Sequence, residues 1–214
     1  MIRVVLQSMD QGSLLIDNES KYVRCGRGVL MYVAFLDASH AKTNDATTEH
    51  GDHASILDDE RLQKAVNTLL RTKIFTHFSP EQMSNQAQSL EEVPRMDLLV
   101  VPQASLAGKI NKKGNTVQFH SLIKNKETCE SLYYRFVHLL RVARNVNEEE
   151  IDINGLPLHE SHFVEMDDDG NINPNRNHHR DWLKYNGRVV CGTFGNRQGL
   201  RFASEGPFTH SFDL

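Results

Sequence analysis

Two short segments of the chain could do chemistry, and both present main chain more than side chains. The first, residues 102–106, is Pro-Gln-Ala-Ser-Leu and follows an apolar run that predicts a buried strand. Pro102 interrupts the hydrogen-bond ladder of that strand. The N–H groups of Gln103, Ala104 and Ser105 are then left to point at a ligand, and free amides at a strand end are the donors of an oxyanion hole. An ordinary strand-to-loop turn is the alternative, and the spacing alone favours it.

The second segment lies near the end of the chain, where residues 203–210 are Ala-Ser-Glu-Gly-Pro-Phe-Thr-His. Gly206 lets another molecule approach the main chain closely. Pro207 fixes its own φ angle and makes a cis peptide bond accessible at a cost of about 0.5–1 kcal/mol. A Gly-Pro step can therefore present rigid carbonyl groups to a ligand. The alternative is a plain turn before an edge strand.

Side-chain catalysis and metal chemistry are less favoured. Ser105 is the obvious nucleophile, but no histidine or acid can be placed beside it from the sequence, so we expect a hydrogen-bonding role. No cysteine pair accompanies the histidines that could hold Zn²⁺, and loops rich in Asn, Asp and His usually face solvent. These histidines are His159, His162, His178 and His179. We therefore expect no metal and no cofactor.

Apolar runs and their periodicity predict the elements that must position the two segments. Strands are predicted at residues 2–6, 13–16, 21–25, 29–36, 73–75, 97–101, 117–120, 189–191 and 200–203. Residues 13–16 and 21–25 are expected to pair with the first strand across short polar turns. Helices are predicted from Ser55 or Asp58 to about Thr72 and around residues 132–143. The sum is a mixed α/β domain with about two helices on a largely antiparallel sheet system.

The composition fits one domain, residues 1–214, with two insertions. The chain has 39% hydrophobic and 24% charged residues, enough to bury a core. Polar stretches at about 38–54 and 147–187 have no clear periodicity and predict the insertions. Three widely spaced cysteines favour a reducing, cytoplasmic location. No stretch has the pattern of a signal peptide or approaches the ~20 apolar residues of a membrane span, so no membrane partner is expected.

The formal net charge of −4 argues mildly against a nucleic-acid partner. An RNA contact would need a local basic patch, for which the candidates are Lys109, Lys112, Lys113 and Arg197. A solvated loop is the alternative for the lysines.

Taken together, the two segments resemble the signatures of the D-aminoacyl-tRNA deacylase family, which are a Ser-Gln-x-x-Thr strand end and a C-terminal Asn-x-Gly-Pro-x-Thr. The likeness is closer to the animal-type tRNA deacylases, which carry Pro-Gln-Ala-Thr-Leu and Asn-Gly-Pro-Phe/Tyr-Thr-His. Residues 192–198, Gly-Thr-Phe-Gly-Asn-Arg-Gln, give the longest further match. The resemblance covers about residues 1–37, 56–146 and 188–214.

The resemblance implies a deacylase-like fold with a barrel-like sheet system, in a homodimer with active sites at the subunit interface. The implied activity is hydrolysis of the ester of a mischarged tRNA, either a D-aminoacyl-tRNA or L-alanyl-tRNA of threonine identity. By the same resemblance, Gly206 and Pro207 would form a selectivity filter. The amides of Gln103, Ala104 and Ser105 would hold the oxyanion. Substrate-binding residues would be Pro102, Leu106, Phe119, Phe208 and Thr209.

Departures from the family pattern keep other functions open. Ser105 replaces the family's Thr, and Ser204-Glu205 replaces Asn-x, so that Glu205 adds negative charge near an anionic substrate. Ser8, which follows Gln7, stands where the chirally strict branch has an Arg that helps to lock a cis Gly-Pro bond, which favours the relaxed, trans branch. Ser105, Glu205 and the acidic insertions are also consistent with an alternative, an inactive tRNA- or ribosome-binding module on the same fold.

Overall fold

The computed structural model describes residues 1–37, 57–79, 84–119, 121–158, 187–204, 206 and 208–214. These residues form two α-helices, α1 (Asp59–Arg71) and α2 (Lys126–Ala143), and twelve strands. The strands are β1 (Ile2–Met9), β2 (Gln11–Leu15), β3 (Tyr22–Cys25), β4 (Gly28–Phe35), β5 (Phe75–Ser79), β6 (Ser84–Gln88), β7 (Asp97–Pro102), β8 (Lys109–Ile110), β9 (Val117–Gln118), β10 (Val189–Cys191), β11 (Leu200–Ala203) and β12 (Thr209–Asp213). Short 3₁₀ turns lie at Ala104–Ala107 and Glu148–Glu150.

A five-stranded central sheet has the order β10-β7-β4-β1-β12. β1 runs antiparallel to β4 and β12, whereas β7 runs parallel to β4 and β10. β4 and β7 lie inside the sheet because their apolar residues can be buried on both faces. β1 alternates instead, with Ile2, Val4 and Leu6 buried on one face and Arg3 and Gln7 on the other.

The two helices cover the first face of the central sheet. The carboxylate of Asp58 caps α1 by accepting from the amide of Arg61 at 2.9 Å. Leu62, Val66 and Leu69 of this helix are buried against the sheet, as the helical spacing predicts. Burial of each such side chain contributes about 1.5–3 kcal/mol. α2 adds a second apolar stripe that includes Tyr133, Phe136 and Leu140.

The second face of the central sheet, opposite the helices, is covered by smaller pieces. A three-stranded sheet, β11-β2-β3, packs Leu14 and Val23 against Leu30 and Leu99. Next to it, the turn at Ala104–Ala107 buries Ala107 in a small cluster with β4. Gln7 and Arg3 therefore share their face of the sheet with this turn.

The structure confirms the α/β class, the two helices, the buried strands β4 and β7, and the strands β10 and β11. The predicted pairing of residues 13–16 and 21–25 with the first strand is wrong, because β2 and β3 pair with each other and with β11. A hairpin partner of β5, β6, lies where only a loop is expected. None of the sheets in the described part of the chain closes into a barrel, and the two parallel pairings make the central sheet mixed.

The start of the predicted larger insertion packs onto the core. Leu156 is buried among the residues between the two sheets. The side chain of Asn154 donates to the carbonyl of Cys191 at 2.9 Å and to the hydroxyl of Thr193 at 3.0 Å. The guanidinium of Arg141 donates to the carbonyl of Ile153 at 2.9 Å. The later part of this insertion, with the four candidate zinc ligands, and the smaller insertion at 38–54 lie outside the described residues, so the domain boundaries stay a prediction.

Neither described helix is both long and apolar enough to cross a bilayer.

Candidate active site

The first signature forms a tight turn at the end of β7, called here the amide turn (Ala104–Ala107). The amide of Leu106 donates to Gln103 at 3.3 Å and the amide of Gly108 donates to Ser105 at 2.9 Å, which closes the turn. The amides of Ala104 and Ser105 donate to no acceptor among the described residues, and both residues are exposed. Two adjacent free N–H groups at a surface are a ready anion-binding pair.

The Gln103 amide corrects one expectation. It donates to the carbonyl of Val33 at 2.8 Å, because the pairing of β7 with β4 continues one residue beyond Pro102. This N–H is used by the fold and cannot also bind an oxyanion. Of the three amides expected to be free, the structure leaves Ala104 and Ser105.

None of the described residues is placed to activate the Ser105 hydroxyl. Its side chain is exposed and makes no hydrogen bond to any residue that the structure describes. A serine without an adjacent base is a weak nucleophile. The turn therefore offers its main chain to a substrate.

Arg3 fixes the far end of the amide turn, a role that the sequence does not suggest. Its guanidinium donates to the carbonyl of Leu106 at 3.0 Å and to the two carboxylate oxygens of Asp213 at 2.7 and 2.8 Å. The hydrogen bonds between these two side chains raise the pKa of Arg3 and lower the pKa of Asp213. Arg3 thus ties together β1, β12 and the turn.

The second signature is held by side chains. The carbonyl of Gly206 accepts from the Ser204 hydroxyl at 2.6 Å and from the Gln7 side-chain amide at 3.2 Å. The other end of the Gln7 side chain, its Oε1 atom, accepts from the hydroxyl of Thr209. Gln7 therefore bridges both ends of the signature, and we define Gly206–Thr209 as the filter segment.

Gly206 has no room for a side chain without a shift of its neighbour. A Cβ atom at this position would lie 2.8 Å from the ring of Phe208, which is itself 55% exposed. Pro207 and Glu205 lie outside the described residues, so the cis or trans state of the Gly206–Pro207 bond and the effect of the Glu205 charge stay predictions.

The remaining predicted residues fall into two groups. Phe119 lies beside the amide turn, because a Cβ atom at Gly108 would approach its ring to 3.4 Å. The hairpin of β8 and β9 continues from the turn and carries Lys109 and, at its exposed tip, Lys112 and Lys113. Arg197 is not part of this group: it lies in the loop after β10, where its amide donates to Asn18 of the β2–β3 connection.

Within this chain, the amide turn and the filter segment are too far apart to act on one ester. Gln103, just before the turn, bonds to Val33, which lies opposite Val4 of β1. Thr209 lies opposite Gln7, three residues further along β1. The turn leaves β7 and the filter segment enters β12, which are three strands apart. At ordinary strand spacings the backbones of Gln103 and Thr209 are roughly 17 Å apart, and Arg3, which holds the far end of the turn, is still roughly 13 Å from Gln7 along β1.

Comparison with known proteins decides the family. The model of the D-Tyr-tRNA(Tyr) deacylase family matches residues 5–173. The chain belongs to this family. A Leishmania major protein named as a D-tyrosyl-tRNA(Tyr) deacylase 2 is 53% identical over 210 residues, which is 98% of this chain and 100% of that protein. The human D-aminoacyl-tRNA deacylase 2 is 28% identical over 92% of this chain and 83% of its own length.

A solved structure confirms the fold. It is described as a eukaryotic D-amino acid tRNA deacylase, is 52% identical and superposes with a TM-score of 0.75 over 100% of this chain and 99% of its own. Family membership makes this chain a hydrolase of aminoacyl-tRNA ester bonds, in the class of tRNA-editing enzymes.

Proposed function

We propose that this deacylase works as a homodimer in which the amide turn of one protomer and the filter segment of its partner form each active site. The observation that supports the proposal is the separation of the two segments along one face of the central sheet. In an aminoacyl ester, a single carbon atom separates the amino group from the ester carbonyl, so both segments must meet at one place. A two-fold axis through this face would bring the filter segment of each copy to the turn of the other, twice per dimer.

In this site the main chain supplies the catalysis. The amides of Ala104 and Ser105 donate to the oxygen that becomes negative as water attacks the ester, and each such donor contributes about 10²–10³ in rate. The Gly206 carbonyl, oriented by Gln7 and Ser204, accepts a hydrogen bond from the substrate's amino group. An aminoacyl ester is already reactive, and the neighbouring 2′-hydroxyl of the terminal adenosine can position the water. Orientation and charge stabilisation then suffice without a side-chain nucleophile.

The Gly206–Pro207 step acts as the selectivity filter of the proposed site. With a cis bond, the main chain of this step would exclude L side chains from the pocket and make the enzyme specific for D-aminoacyl-tRNA. A trans bond would open the pocket and admit L-alanine placed on a threonine tRNA. Ser8 in place of an arginine favours the trans form. The three cysteines are buried free thiols, which suits the proposed cytoplasmic location.

A substrate panel tests the activity. The protein is incubated with a D-aminoacyl-tRNA, with L-alanyl-tRNA of threonine identity and with a correct L-aminoacyl-tRNA, and the released amino acid is measured. Release from either of the first two, but not from the third, supports an editing enzyme and identifies its branch. Binding of tRNA without release from any of them contradicts the proposal and supports an inactive binding module.

A mixing experiment tests the composite site. Ala104→Pro removes one N–H from the turn, and Gly206→Val fills the filter segment. Neither variant is expected to be active alone. After subunit exchange, half of the dimers carry one of each, and every such dimer has one intact site, so the mixture should recover about a quarter of the wild-type activity. A mixture that stays inactive, although mass spectrometry shows heterodimers, would place both segments of a site in one protomer.

A further inference from the structure

A cleft of about 570 Å³ opens at the end of the central sheet where β4 and β7 begin. Asp97 and Gly187 form its floor, residues 93–96 form one wall, and Arg27 and Arg95 stand at its rim. Its volume lies within the range of about 300–1,000 Å³ that is usual for ligand sites. We call it the arginine cleft.

The acids of the arginine cleft are already paired. The carboxylate of Asp97 accepts from the amide of Gly26 at 2.8 Å and from the amide and guanidinium of Arg188 at 2.9 and 2.7 Å. Glu92 accepts from the amide of Ser89 and forms an ion pair with Lys73, and these contacts lower its pKa. Within the described part of the chain, the rim arginines have no such partner. The cleft therefore presents positive charge to a ligand.

The wall of the cleft is fixed from behind by a buried arginine. Arg144 is 5% exposed and donates to the carbonyls of Leu90, Pro94 and Met96 at 2.8, 2.7 and 2.5 Å. The amide of Gly187 adds a bond of 2.6 Å to Pro94. Three of these hydrogen bonds end on the wall itself, at Pro94 and Met96, so the wall needs little ordering when a ligand enters, which favours binding.

The arginine cleft is continuous with the filter segment. A smaller pocket of about 120 Å³ shares Arg27 and Met96 with it, and its other lining residues include Gly206, Phe208 and Phe75, together with one acid, Asp10. A path of aromatic rings that leads to unpaired arginines is the usual surface for single-stranded RNA, because bases stack on the rings and phosphates bind the arginines.

We propose that the arginine cleft binds the single-stranded 3′ end of the tRNA substrate, with backbone phosphates on Arg27 and Arg95. This inference rests on the proposed function, in which the amino acid esterified to the terminal adenosine lies at the filter segment. The strand that leads to this adenosine would then follow the smaller pocket to the cleft. The other basic feature, the lysines of the β8–β9 hairpin, belongs to the amide turn and defines the competing route.

The test compares three double variants that each remove two positive charges. Arg27→Gln with Arg95→Gln alters the cleft, and Lys112→Gln with Lys113→Gln alters the hairpin. Arg61→Gln with Lys64→Gln is the control, since both residues lie on α1 beside a separate pocket. Binding of uncharged tRNA is measured against salt concentration, and hydrolysis is measured on aminoacyl-tRNA and on aminoacyl-adenosine, which has no phosphate.

For the cleft variant, binding of tRNA should weaken on the order of tenfold. The slope of the logarithm of the association constant against the logarithm of the salt concentration should become shallower by about 1.4, because each of the two phosphates that the protein no longer neutralises contributes about 0.7. Its loss in kcat/KM should be several-fold larger on aminoacyl-tRNA than on aminoacyl-adenosine. The proposal is overturned if the salt dependence of tRNA binding by the cleft variant equals that of the α1 control. It is also overturned if the salt dependence becomes shallower only in the hairpin variant. If wild type cleaves neither ester, the proposed function fails, and the salt slope with uncharged tRNA still decides whether the cleft binds RNA.

Discussion

The amide turn and the filter segment lie on the same face of one sheet, but they are held in place by different means. The amide turn is closed by its own main chain and joined to β4 through the Gln103 amide. The filter segment depends on side chains that reach it from β1, above all Gln7. Substitution of a side chain at Ala104 or Ser105 should therefore leave the geometry of the turn largely intact, whereas substitution of Gln7 should disturb the filter segment. A substitution that removes a main-chain N–H should instead affect the amide turn more than the filter segment.

The largest effect is expected from removing a main-chain donor in the turn. Gln103 is extended, with φ −135° and ψ 91°, a conformation that a following proline accepts. Ala104→Pro should therefore keep the fold but lose one N–H, and kcat should fall by about 10²–10³. The measurement is single-turnover hydrolysis, with a thermal melt to verify folding. Ala104→Ser retains the N–H and serves as the control. A loss of less than threefold in a folded Ala104→Pro protein would exclude this amide from catalysis.

A smaller effect is expected from the side-chain support of the filter segment. Gln7→Leu removes the bonds to the Gly206 carbonyl and the Thr209 hydroxyl, and two hydrogen bonds of about 1 kcal/mol each predict a loss on the order of tenfold or more in kcat/KM. Discrimination between substrates should weaken with it. Ser8→Ala is the matched control, because the Ser8 hydroxyl contacts Ser204 without contacting Gly206.

The comparison fails if Gln7→Leu leaves both kcat/KM and substrate discrimination unchanged. The filter segment would then be held by its own main chain, as the amide turn is. Equal losses in Gln7→Leu and Ser8→Ala would instead indicate that the hydroxyl network around Ser204, and not the bridge made by Gln7, orients Gly206.

These differences also explain what can be predicted from the sequence. The helices and buried strands follow from local apolar spacing, and Pro102 predicts the position of the amide turn to within one residue, because the strand pairing continues through Gln103. The role of Gln7 depends on its register opposite Thr209, which lies 202 positions away along the chain, and no local pattern records such a pairing. The state of the Gln103 amide escapes prediction for the same reason, since its acceptor belongs to another strand. The one local signal for Gln7 is its position on the polar face of an alternating strand.

A still smaller effect is expected at Ser105. Ser105→Ala keeps the N–H and removes a hydroxyl that has no partner in the described part of the chain, so kcat should fall less than about tenfold, well below the loss for a missing amide. The assay is the same single-turnover hydrolysis. Loss of all turnover in Ser105→Ala would show that Ser105 is the nucleophile and that the main-chain mechanism is wrong.

The smallest effect concerns the link between the two regions, the contact of Arg3 with Asp213. The hydrogen bond from Arg3 lowers the pKa of Asp213 in the folded protein, so its contribution to stability is present above the ordinary pKa of about 4 and is lost as pH falls through the lowered value. Because the pair is largely exposed, the contribution should be below about 1 kcal/mol. Urea unfolding between pH 7 and pH 3 measures it. Asp213→Asn should lose less stability at acid pH than wild type. Identical pH profiles would show that this ion pair does not stabilise the junction between β1, β12 and the amide turn.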